Sequence, residues 1–161
     1  MLWIGLAILL FWAVGAYNRL VRLRSQGLSA FANLEQVLSQ LATLARHGAA
    51  GSDALAAAAE QFQASLKVSR AQALNGPTMS ALKTAFETLC VCWDRQCEVS
   101  FDEAAAIARE ALQRQWDPLV VQTDRVRSEF NVAVENYNAA ISQFPAVLIA
   151  WVFGFRAAKP M

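Results

Sequence analysis

Positions 2–17 are apolar or small and carry no charge, and Arg19, Arg22 and Arg24 follow immediately. As a helix those residues span about 24 Å, a little short of the roughly 30 Å hydrocarbon core of a bilayer. Trp3 and Tyr17 suit the two interfaces, and the arginines can reach back to the headgroups. Beyond them, Phe31, Leu34, Leu38, Leu41 and Ala45 recur at steps of three and four. That spacing predicts that one helix continues out of the apolar segment as a packing stripe. His47-Gly48-Ala49-Ala50-Gly51 ends it.

Three further helices follow from the pattern. Ser52 or Asp53 caps the second, whose stripe is Leu55, Ala59, Phe62, Leu66 and Ala73. Asn75-Gly76-Pro77 stops it, and Thr78 or Ser80 caps the third. The third carries Leu82, Phe86, Leu89, Trp93, Cys97, Phe101, Ala104, Ala108 and Leu112, and closes at Trp116. Asp117-Pro118 reads as a cap plus a first-turn proline. The fourth helix then holds Leu119, Thr123, Val126, Phe130, Ala133, Tyr137, Ile141 and Phe144 in a three-four seam. Phe144-Pro145 ends that seam. Nothing reads as a strand. The fold expected is all-α, a transmembrane helix continuing into an antiparallel bundle of about four long, coiled-coil-like helices.

The charge order sets the topology. Positive charge follows the apolar segment and none precedes it. This favours an uncleaved anchor over a cleaved leader, although Val14-Gly15-Ala16 resembles a cleavage site, and over a buried soluble helix. The expectation is a single-pass protein of the cell (inner) membrane, with its N-terminus outside and its body cytoplasmic. Four passes return the chain to the membrane level, so Ala146–Phe155 would meet the lipid surface, led by Trp151 and Phe153. The expected divisions are an anchor at 1–17, a cytoplasmic bundle at 18–145 and an apolar tail at 146–161.

Composition adds little chemistry. The chain has 161 residues, 56% of them hydrophobic, and a net charge of +1, which gives no field for nucleic acid. The single histidine, His47, lies in a turn, so neither a Glu-x-x-His di-metal site nor a nucleophile–histidine arrangement has support. The glycines form no phosphate-binding loop. Cys90, Cys92 and Cys97 could bind a soft metal, but they supply only three thiols, and Cys92 points away from the other two on a helix. Buried apolar cysteines are the simpler reading. Asp94, Glu98, Asp102 and Glu103 read as a solvated face. No catalytic residue, metal site or cofactor is expected.

Two groups of residues resemble the LemA family of bacterial membrane-anchored helical proteins. Near the start, the apolar segment is followed by Tyr17-Asn18-Arg19-Leu20-Val21 and Leu23-Arg24. Near the end come Phe130-Asn131, Val134, Tyr137-Asn138, Ile141, Phe144-Pro145, Ile149-Ala150 and Phe153-Gly154-Phe155. The central helices depart from the family pattern: RHGAAGSDALAAAAEQF stands where the family has a proline-containing stretch. The resemblance implies a long helical bundle, membrane attachment and no established enzymatic activity. On their own spacing, Asn131 and Asn138 lie on one helical face beside the seam, where an amide can fix packing register.

The expected function is non-enzymatic: a tethered bundle that scaffolds or docks partner proteins at the bilayer, with self-association possible. The alternative is a small-molecule or metal-binding module built on the cysteines, Trp93 and Trp116.

Overall fold

The computed structural model describes residues 2–98 and 103–161. They form five helices, α1 (Leu2–Gly48), α2 (Asp53–Ala71), α3 (Gly76–Glu98), α4 (Glu103–Ser142) and α5 (Ala146–Val152), with no strand among the described residues. α1 runs for 47 residues, about 70 Å, without interruption. Its first turns stand free: Trp3 is 82% exposed and Phe11 85%. Burial begins at Leu20 and follows the stripe through Phe31, Leu34, Leu38, Leu41 and Ala45.

α1 and α4 form the long spine. Phe31 meets Phe130 edge-on at 5.8 Å. Val126, Phe130, Val134, Tyr137 and Ile141 make the buried face of α4. Phe144, expected to finish that seam, is instead 81% exposed, because α4 stops at Ser142 and the chain turns away. α2 and α3 pair with each other through Phe62 and Phe86, 6.1 Å apart, and α2 lies against α1. Ser52 caps α2 as expected, its hydroxyl accepting from the Leu55 N–H.

The third and fourth helices are divided differently from the expectation. The rings of Trp93 and Trp116 stack at 4.0 Å with 7° between their planes. On one continuous helix, residues 23 apart would lie about 35 Å apart. The chain therefore reverses between them and not at Asp117-Pro118. α4 is already formed at Glu103 and carries Pro118 inside it. An interior proline costs about 3 kcal/mol in a helix. Buried Trp116 and Thr123 on either side hold α4 through it, and the Thr123 hydroxyl donates to the Leu119 carbonyl. The expected apolar position Phe101, and the side chains of Cys97 and Ala104, lie outside the described residues. α3 also starts earlier than Thr78. Gly76 and Pro77 open it, and the Thr78 hydroxyl donates to the carbonyls of Gln72 and Asn75.

The chain end also differs. α5 packs against α1 and α4 through Ala146, Ile149 and Ala150. It closes on Gly154, which has φ of +69°. The Phe155 N–H donates to the Ala150 carbonyl (2.9 Å) and the Gly154 N–H to the Trp151 carbonyl (3.4 Å). This is the paired Schellman closure, which places glycine at the left-handed position. The chain then runs back along α4, and Ala158 and Met161 become buried. Residues 156–161, the last part of the expected apolar tail, thus lie along α4.

Candidate functional site

The described structure concentrates its unusual features at one end. There the apolar start of α1 leaves the bundle and α5 docks beside it. The Tyr17 ring lies 4.9 Å from Phe153 and 6.0 Å from Phe155. The opening and closing motifs of the sequence therefore meet in space. Trp151 is 83% exposed on α5, with Leu148 and Val152 beside it. A groove of about 800 Å³ separates Ile8, Phe11 and Trp12 of α1 from the Phe144-Pro145 turn. This end is apolar outward, which is the reverse of a bundle end meant for water.

Charge divides along the same line. Residues 1–34 and 136–161 contain five basic residues and no acidic one, whereas 35–135 contain nine basic and thirteen acidic. Arg19, Arg22, Arg24 and Arg156 are all exposed. Among the described residues none of the four enters an ion pair, while Arg70 farther along reaches Glu35 at 2.6 Å.

Asn131 and Asn138 hold the end of the chain. Asn138 Nδ2 donates to the Ala158 carbonyl (2.7 Å), and the Ala158 N–H donates to Asn138 Oδ1 (2.9 Å). Asn131 repeats the pattern with Met161, at 3.0 and 2.8 Å. Each side-chain amide thus pairs with a peptide group as a neighbouring strand would. The spacing fits. Seven residues of helix cover about 10.5 Å, and three residues of extended chain about 10 Å. Between the two clamps and α5, the Tyr137 hydroxyl donates to the Arg156 carbonyl (3.0 Å). Phe130 and Tyr137 face the core while the next residue faces the tail. Asn18, the third asparagine of the motifs, is exposed on α1 and takes no part in the clamp.

At the opposite end, Trp93 Nε1 donates to Gln113 Oε1 (2.8 Å), and Gln96 Nε2 donates to the Gly48 carbonyl (2.7 Å). Both tryptophans are 3% exposed. They interlock α3, α4 and the end of α1. Cys90 and Cys92 are half-buried free thiols. Burial, reinforced by nearby Asp94, pushes the Cys90 thiol up to about 11, so it is protonated near neutral pH and a poor ligand or nucleophile. Among the described residues no three histidine, cysteine or acidic side chains converge on one point.

Among the described residues, one helix, the first, is long and apolar enough to cross a membrane, a property that a leader sequence shares. Comparison of the chain with protein-family models, curated proteins and solved structures finds no match.

Proposed function

We propose that this chain is a single-pass membrane protein of LemA type, whose helices α1–α4 form an antiparallel bundle that docks or scaffolds other proteins at the cytoplasmic face of the bilayer. The observation that carries the reading is the pairing of bare, charge-free α1 turns with an acid-free basic end. Lipid would cover the exposed tryptophans and phenylalanines, and anionic headgroups would meet Arg19, Arg22, Arg24 and Arg156. The half-buried, protonated Cys90 favours this reading over a thiol-based one.

Two assays on the full-length chain test it. Alkaline carbonate should leave the protein in the membrane pellet, and mature material should retain residues 2–17. Maleimide labelling of Cys92 should require access from the cytoplasmic side. Extraction by carbonate, or a mature chain starting near Tyr17, overturns anchoring; labelling from outside overturns the orientation.

A further inference from the structure

A second feature at the basic end is a cavity of about 440 Å³. Its wall includes Arg24 of α1, the turn between α2 and α3, Tyr137 of α4, and residues 154–157. Two arginines from segments far apart in sequence thus flank one space. Neither enters an ion pair among the described residues, and no acidic side chain lines the cavity. Tyr137 reports the same field. Burial raises its phenol above the ordinary value, and the Arg24 charge acts in the opposite direction. The Tyr137 hydroxyl also holds the Arg156 carbonyl, and Gly154 turns the chain so that Arg156 follows directly on the aromatic layer.

The depth suits a headgroup. Arg24 lies two helical turns, about 10 Å, beyond Tyr17. The polar zone of each leaflet is roughly 5–7 Å deep, and a guanidinium on its stem covers the remainder. Phe155, 6.0 Å from the Tyr17 ring, also lines the cavity and so joins it to the aromatic layer.

We propose that this cavity binds the phosphate headgroup of an anionic membrane lipid between Arg24 and Arg156. The proposal rests on the anchored reading above. It makes the bundle a reader of lipid charge as well as a tethered body, since a headgroup there would bridge α1, α4 and the α2–α3 turn.

Native mass spectrometry of the full-length chain, released from micelles of equal phosphatidylglycerol and phosphatidylcholine, tests the site. The unaltered chain should carry phosphatidylglycerol in at least about tenfold excess, the effect of two arginines near an anionic surface. Arg24→Gln with Arg156→Gln should bring the two lipids to parity. Arg24→Lys with Arg156→Lys should keep most of the excess. Parity in the unaltered chain, or an excess that survives the paired glutamines, overturns the proposal. Loss of the excess to equimolar inorganic phosphate would assign the cavity to a soluble anion and overturn the lipid. Carbonate extraction of the same preparation separates the two readings. A chain that stays in the membrane without lipid preference sinks only the cavity. One that washes out yet prefers phosphatidylglycerol sinks only the anchor.

Discussion

Removing Asn138 should release the end of the chain without unfolding the bundle. Residues 156–161 dock through five hydrogen bonds, two from each asparagine pair and one from Tyr137. At about 1 kcal/mol net apiece these contribute roughly 5 kcal/mol. Burial of Met161 adds about 2 kcal/mol. Ordering six residues, of which Pro160 has its φ fixed already, costs about 5–10 kcal/mol. The balance lies close to zero, so the loss of two bonds, about 2 kcal/mol, decides whether the tail is docked. Asn138→Ala should therefore all but abolish the hydrogen-exchange protection at the Ala158 and Met161 amides, which so small a balance holds at about several-fold. Asn138→Asp should do the same, because it keeps an acceptor but offers the Ala158 carbonyl no donor. Asn131→Ala should match Asn138→Ala, and the double variant should add little, since a released tail has nothing more to lose. Unchanged protection at Ala158 in Asn138→Ala, or strictly additive losses, would refute the clamp.

Three other outcomes follow from single positions. Gly154→Ala should cost about 1 kcal/mol by denaturant unfolding, and Gly154→Asn less, because the left-handed backbone is the obstacle and no atom lies near an added Cβ. Gly48→Ala should disturb the near-ultraviolet circular dichroism of the stacked tryptophans, because its Cβ would fall 2.6 Å from the Trp93 ring. In a Cys92→Ser, Cys97→Ser background, alkylation of native Cys90 should rise with an inflection near 11, against about 9 when unfolded. The raised value means that the folded thiol holds its proton longer, so this residue's contribution to stability is complete below about pH 9 and fades as the pH climbs towards 11.

The helical stripes were legible because burial repeats at the helical period. Leu34, Leu38, Leu41, Leu55, Phe62, Leu82 and Leu89 all fall where their spacing puts them. The reversal between Trp93 and Trp116 was not, because Asp117-Pro118 imitates a helix start and α4 absorbs the proline by packing on both sides of it. The heptad spacing of Asn131 and Asn138 was visible, but their partners were not. They bind peptide groups, which every residue has, so Ala158 and Met161 carry no mark of it. The basic end was half legible. Arg19, Arg22 and Arg24 cluster in sequence and the returning tail brings Arg156 to their level, but that Arg24 and Arg156 line one cavity follows only from the turn at Gly154.

Depth-dependent quenching of tryptophan fluorescence by brominated lipids tests the anchored reading most directly. Trp93 and Trp116 are kept as a constant background, and Trp3, Trp12 or Trp151 is retained in turn. The account predicts strongest quenching of Trp12 by bromines near the bilayer centre, quenching of Trp151 only by shallow bromines, and none of the stacked pair. A Trp12 that no bromine depth quenches, or a Trp151 as dark to lipid as Trp93, would contradict it.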